Sequence, residues 1–375
     1  MVSMQHIGML KLLQEDVKNM RDRWCDSTIA RRKTGLIHWD MDWSSGCYTL
    51  YAPQTGNGLV KLIDISGEEV RTWKFPVRPG RDAVILRNGN IGYNGSHERS
   101  MKLYPAWDIW HGGHFMEMNP KGNIVWEYED RYHHHDAQWL ENGNLLYTAA
   151  VRVDPGTIIT DVVREVNRNK EVVWEWKALD HLDPRDPTLQ IHECFSNDHW
   201  PMINGLYQME NGLVLMSLRT CSGVIAVDKK SGSIKYWINY PDVAQQHCPF
   251  ETKDGNVLIF DNGNIRPASI HHSRIVEYNL ETGEKTWEWV DEMPPAFFSP
   301  YMGSVEELWN GSVSICESAF GRIFEVNRKG ELMWEYVIPE FAEYPEPLNK
   351  FITGEHNSCF KVHRYHNLPP ELMRY

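Results

Sequence analysis

No apolar run in this sequence approaches the roughly 18 residues that a membrane-spanning helix needs, so no such helix is expected. The first 32 residues carry charge throughout, with Lys11, Glu15, Asp16 and Lys18 among them. They lack the uninterrupted apolar stretch and small-residue cleavage site of an export signal. Cysteine is scarce: seven residues, an odd number, with no CxxC spacing. That argues against a disulfide framework and for reduced thiols, and a cytoplasmic location is the expectation that follows. Positive charge is in deficit, with 38 Lys plus Arg against 51 Asp plus Glu and a net charge of −13. Nucleic acid and anionic membranes are therefore poor partners. No HExxH, GxSxG, Walker or GxGxxG context is evident, so the reaction classes those phrases mark lose their usual support. Neither a cofactor nor a resident metal is expected.

What is abundant is tryptophan, with 16 residues, and histidine, with 17. The tryptophans belong to a repeated phrase. Its first half ends in Trp126-Glu127-Tyr128, Trp174-Glu175-Trp176, Trp287-Glu288-Trp289 or Trp334-Glu335-Tyr336. Its second half turns on Asn88-Gly89, Asn142-Gly143, Asn211-Gly212, Asp254-Gly255 or Asn310-Gly311, each before an apolar run. The period of roughly 47 to 62 residues marks a propeller or solenoid. Asn-Gly and Asp-Gly turns between alternating runs are hairpin signals, so each repeat reads as two hairpins, or four antiparallel strands. Gly113–Met118 with Asn123–Tyr128, and His135–Leu140 with Asn144–Ala149, make one such unit. The fold expected is all-β, a six-bladed β-propeller over residues 46–375. A helical extension over 1–45 precedes it, with an amphipathic helix at 6–32. The sixth Asn-Gly half is poorly marked. It is sought in Asn357–Tyr365 or in the N-terminal segment Tyr48–Tyr51. Ser96–Trp110 and Lys177–Asn197 read as long, functional loops.

The repeats share a register. Seven residues before each turn stand Arg81, His135, Asn204, His247 and Gly303. If the blades are equivalent, this position opens one strand of every sheet and forms a ring on the central axis. Polar residues lining a wet channel explain part of such a ring, but core packing does not select Arg, His, Asn and His. Sites built from equivalent positions of a repeat do. Arg219, Asn262 and Glu317 follow the strands that end at Leu218, Phe260 and Cys316, close to the same end. His111, His114, His133, His134, His192, His199 and His356 read as residues of connecting segments. Two neutral imidazoles and a guanidinium suit nucleophilic transfer of an anionic group: one imidazole attacks, the arginine grips the anion, and the second imidazole handles the proton. The same histidines also suit a metal.

The segments His134–Tyr147, Gln246–Asn264, Gly303–Tyr336, Asn357–Tyr365 and Cys47–Trp73 resemble the PAPS-independent bacterial arylsulfotransferases, over about residues 46–366. The resemblance implies a six-bladed propeller with its site on the axis, moving sulfate between phenols through a sulfohistidine. It maps His247 to the nucleophile, His135 or His134 to a second histidine, and Asn204 and Arg219 to sulfuryl contacts. Arg81, Asn262, Glu317 and His356 are the expected substrate-binding residues, and the partner expected is a small aromatic molecule. A homodimer is also in keeping with the resemblance. One departure stands out: the family's usual histidine two residues before the asparagine is Met202 here, and His199 lies three residues earlier. A hydrolase, lyase or hydratase on the same scaffold is the competing enzyme reading, with His134, His135, His199 and His247 as acid–base groups or ligands. A non-enzymatic binding propeller is the third.

Overall fold

Each Asn-Gly pair closes its hairpin by the same local chemistry, and at Asp254-Gly255 the Thr252 hydroxyl takes the place of the asparagine oxygen. At Asn88-Gly89, the Asn88 side-chain oxygen accepts from Asn90 N at 3.0 Å, and Gly89 N donates to Leu86 O at 2.9 Å. Gly89 takes φ 77°, a left-handed conformation open to glycine at little cost. With turns of this kind each strand of about five or six residues folds back on its neighbour, and hairpins join into sheets.

The computed structural model describes residues 33–40, 47–97, 112–152, 159–192, 199–267, 270–346, 348–350 and 352–373. The helix expected at 6–32 lies outside these residues, as do most of the loop 96–110, residues 193–197 of the second loop, and His111. Six sheets of antiparallel strands make six blades. Blade I is Cys359–Tyr365, Tyr48–Pro53, Leu59–Asp64 and Glu69–Lys74, from the axis outward. Blade II is Pro79–Ile85, Ile91–Ser96, Gly113–Met118 and Ile124–Glu129. Blade III is His133–Trp139, Leu145–Arg152, Ile159–Val166 and Val172–Lys177. Blade IV is Ile203–Gln208, Leu213–Leu218, Gly223–Asp228 and Ile234–Asn239. Blade V is His247–Glu251, Val257–Asp261, Arg274–Tyr278 and Lys285–Trp289. Blade VI is Ser304–Glu307, Val313–Glu317, Arg322–Val326 and Leu332–Val337, and Gly35–Trp39 adds a fifth, outermost strand.

The blades are cut one hairpin later than the repeat phrase implies. The Trp hairpin closes one blade and the next Asn-Gly hairpin opens the following one, so the phrase straddles a blade boundary. The missing sixth half is supplied from both ends of the chain. Cys359–Tyr365 pairs with Tyr48–Pro53 and places Val362 opposite Tyr51, closing the ring. His114, His133 and His134 lie within strands rather than connections, because the strands of blades II and III begin at Gly113 and His133.

The tryptophans explain why the blades hold together. The indole N–H of Trp126 in blade II donates to Arg168 O in the outer turn of blade III, at 3.0 Å. Trp174 reaches Lys229 O in blade IV, Trp287 reaches Arg328 O in blade VI, and Trp334 reaches Ile65 O in blade I, at 2.9, 3.0 and 2.8 Å. The cation of the receiving turn often covers the same ring: Arg168 lies 4.7 Å over Trp126, and Arg328 lies 5.0 Å over Trp287. At the junctions after blades II and V, one aromatic side chain therefore supplies apolar area, a hydrogen bond and a cation–π contact. Among the described residues no helix is long and apolar enough to cross a membrane.

Candidate functional site

The innermost strands of the six blades contact one another in a closed ring. The register position that opens them is occupied by Arg81, His135, Asn204, His247, Gly303 and, in blade I, Phe360. The guanidinium carbon of Arg81 stands 4.8 Å over the Phe360 ring. Arg81, His135, Asn204, His247 and Phe360 are all buried. Gly303, at φ 126°, is required: a Cβ there would meet the Phe260 ring at 2.5 Å. Five of the seven described non-glycine residues in left-handed backbone flank this ring: His135, Met202, Gln245, Cys248 and Met302. Strain of this kind persists where surrounding structure imposes it, and it gathers at functional sites. One residue further along the strands, Lys361 Nζ bridges both carboxylate oxygens of Asp136 at 2.7 and 2.6 Å, joining blades I and III beneath the ring.

The imidazole of His247 has an assigned tautomer. Its Nδ1 is 2.8 Å from Asn262 Oδ1. Asn262 Nδ2 donates to Ser299 O and Met302 O, both at 2.7 Å, which fixes the amide with its oxygen toward the histidine. That oxygen accepts, so His247 carries its proton on Nδ1 and keeps a lone pair on Nε2. Burial first, and then the Arg219 guanidinium, push His247 down to about 3. The ring is neutral at ordinary pH.

Around it the polar groups are held by backbone. Asn204 Nδ2 donates to Gln246 O at 2.9 Å, while its buried Oδ1 has no hydrogen-bond partner among the described residues. Arg219 is positioned by its own N–H to Met202 O at 2.9 Å and by Nη2 to Gln245 Oε1 at 3.2 Å. Arg81 donates through Nε to His135 O and through Nη1 to Gly80 O, the second at 2.7 Å. Burial lowers Arg81 to about 9, against Asp136, so it stays cationic.

The three consecutive histidines point to three places. His133 packs edge-on against Phe115, 4.8 Å between ring centres, away from the axis. His134 Nδ1 is 2.9 Å from His135 Nδ1, and its Nε2 is 2.9 Å from Asp161 Oδ1. His199 Nε2 approaches the same oxygen at 2.5 Å. Asp161 Oδ2 accepts from Ile203 N at 2.9 Å. Burial works to raise Asp161, but His199 and His134 outweigh it and hold the carboxyl well below the usual range. His135 is pushed well below the ordinary histidine value by burial and then by Arg81, His134, His247 and His199. His199 reaches this cluster through a parallel bridge between its backbone and Ile159.

His247, His135, His134, Arg219, Asn204, His199, Arg81 and Asn262 thus converge around the axial ring. Glu317 and His356, expected as substrate contacts, are not brought to it. Glu317 pairs with Arg322 at 3.3 Å and accepts from Phe298 N at 3.1 Å, because the strand register sets it opposite Arg322. His356 sits in a short exposed ladder with Ala342, its Nε2 at Thr353 O, 3.1 Å away. Met202, at the place of the expected histidine, is buried in an apolar cluster with Met302, Tyr344, Leu348 and Phe360. Sequence reasoning missed Asp161, Gln245 and the Asp136–Lys361 bridge. A single carboxylate inside the apolar run Ile158–Val163 was the available signal for Asp161.

The family model described as Arylsulfotransferase (ASST) matches residues 62–244 and 239–344. No curated protein matches the chain. Among solved structures, a protein of unknown function from Bacteroides caccae is similar at 13% identity and TM-score 0.56, over 86% of this chain and 100% of that one. A virginiamycin B lyase from Staphylococcus aureus is similar at 13% identity and TM-score 0.43, over 69% of each chain. Hydrazine synthase from Kuenenia stuttgartiensis is similar at 10% identity and TM-score 0.48, over 75% of this chain and 76% of that one. At 13% identity the likeness to the Bacteroides caccae protein is one of fold.

Proposed function

Because the chain belongs to the arylsulfotransferase family, we propose that it transfers a sulfuryl group from an aryl sulfate to an acceptor phenol through a histidine intermediate on the propeller axis. The observation that carries this reading is the hydrogen bond from His247 Nδ1 to Asn262, which leaves Nε2 as a free nucleophile. In the first half-reaction Nε2 attacks sulfur and the S–O bond to the aryl oxygen breaks. The phenolate departs with the bonding pair, an acceptable leaving group because phenols ionise near a pH of roughly 10. Arg219 offsets the negative charge of the sulfuryl group. In the second half-reaction the acceptor phenol gives its proton to His135 and attacks sulfur, and the S–N bond breaks to restore His247. His135 then returns the proton to water, and the departed phenolate gains one, so protons balance over the cycle.

The apolar cluster of Met302, Tyr344 and Phe360 beside the ring supports an aromatic substrate. With methionine at position 202, His135 takes the proton-transfer role in this reading. Purified protein with 4-nitrophenyl sulfate and phenol tests the reading. Nitrophenol release that depends on phenol and disappears in His247→Ala supports it; release that is independent of phenol, or undiminished in the variant, overturns it.

A further inference from the structure

His134 Nε2, Asp161 Oδ1 and His199 Nε2 lie within 4.8 Å of one another, and the three residues are at most 4% exposed. Pairwise hydrogen bonding accounts for this group incompletely. His134 Nε2 is 2.9 Å from Asp161 Oδ1, but the ring nitrogen is not aligned on that oxygen and has no hydrogen-bond partner among the described residues. His199 Nε2 is hydrogen-bonded to Asp161 Oδ1, so its proton must shift to Nδ1 for all three donors to share one cation. Donor atoms bound tetrahedrally to one ion at about 2.0–2.2 Å stand roughly 3.3–3.6 Å apart, so the 2.9 and 2.5 Å separations here open by roughly 0.5–1 Å on binding. Two imidazoles and a carboxylate suit a first-row divalent transition ion and leave it open positions. The second oxygen of Asp161 is oriented by Ile203 N, as outer partners of metal ligands are.

We propose that His134, Asp161 and His199 bind one divalent transition ion, and that this ion decides which nitrogen of His135 carries the proton. The second half of the proposal gains its catalytic meaning from the sulfuryl-transfer reading above; the first half does not need it. The link is the 2.9 Å contact between His134 Nδ1 and His135 Nδ1, in which one nitrogen must donate and the other accept. Without the ion, the ionised Asp161 draws the His134 proton to Nε2. His134 Nδ1 then accepts from His135 Nδ1–H, and His135 Nε2 holds a lone pair, the form needed for a base. With the ion, the Nε2 lone pair of His134 is engaged. Its proton moves to Nδ1 and donates to His135 Nδ1, so the His135 proton moves to Nε2. The pair keeps the same number of protons; only their places change. His135 passes from a proton acceptor to a hydrogen-bond donor.

The test uses full-length protein stripped with a chelator and then titrated with Co2+ or Zn2+, with no sulfate ester present. One equivalent of Co2+, seen by its visible absorption, is expected in the wild type and in His114→Ala, which removes the exposed group of His97, His114 and Glu129. Uptake is lost in His199→Ala. Nitrogen-15 NMR of the wild type needs no variant to fold: the His135 proton is expected on Nδ1 in stripped protein and on Nε2 after Zn2+. Absence of stoichiometric uptake, or uptake that survives His199→Ala, overturns the metal site. Uptake without movement of the His135 proton overturns the tautomer switch. Either failure leaves phenol-dependent nitrophenol release, and hence the sulfuryl-transfer reading, to stand or fall by itself.

Discussion

His247 and Asn262 form a matched pair: the amide oxygen of Asn262 lies 2.8 Å from His247 Nδ1, while both of its amide hydrogens are committed to Ser299 O and Met302 O. The asparagine therefore cannot turn to offer a donor, and the histidine holds its proton on the side away from the reacting nitrogen.

Asn262→Leu keeps the side-chain volume and removes that oxygen. His247 then samples both tautomers, and its Nδ1 loses a buried partner. A lost buried hydrogen bond of about 1–3 kcal/mol corresponds to a fall in kcat of roughly fivefold to 160-fold. Steady-state kinetics with aryl sulfate check it, with KM changing far less than kcat.

The pH profile of kcat/KM should show no histidine inflection near about 6.5 from His247, because burial and Arg219 place that group at about 3 in the free protein. Arg219→Gln removes a neighbouring cation, so His247 rises and the acid limb moves toward neutrality. The same variant raises KM for the sulfate ester. Profiles of wild type and variant measured side by side read both effects.

Acid should destabilise the fold through the same residue. An unfolded histidine titrates near about 6.5, and His247 in the fold titrates at about 3. Between those values the unfolded chain binds a proton that the folded chain excludes, so stability is complete above the upper value and lost as pH falls toward the lower. One such group removes about 2 kcal/mol between pH 7 and 5. His134 and His135 are also lowered, so the wild-type slope is steeper than one group's. In His247→Gln, urea midpoints taken across this range should show a shallower dependence.

Trp176 tests the clamp between blades. It is 1% exposed, and its indole donates to Gly232 O of the next blade at 3.0 Å. Trp176→Phe loses the hydrogen bond and part of the ring, whereas Trp176→Ala leaves a cavity and costs about 3–5 kcal/mol. Urea midpoints should fall in that order.

Much of this architecture was legible in the sequence because its causes are local. An Asn-Gly turn dictates a hairpin wherever it occurs, and a tryptophan that must reach the next blade recurs at one register. Counting back from the turns therefore found Arg81, His135, Asn204 and His247 without any structure. Blade boundaries were not legible, since both hairpins of a repeat look alike and only strand pairing shows which four belong to one sheet. Asp161 was hidden for a related reason. Its partners come from another strand of the same blade and from a segment 38 residues away that docks through His199 and Ile159. Glu317 misled because its pairing with Arg322 depends on cross-strand register.

The most direct measurement is intact-protein mass after mixing with 4-nitrophenyl sulfate and no acceptor, followed by peptide mapping. The account predicts one added sulfuryl group on His247, acid-labile, discharged by phenol and absent in His247→Ala. Nitrophenol release with no sulfuryl group on the protein at any time, or the group on another residue, would contradict it.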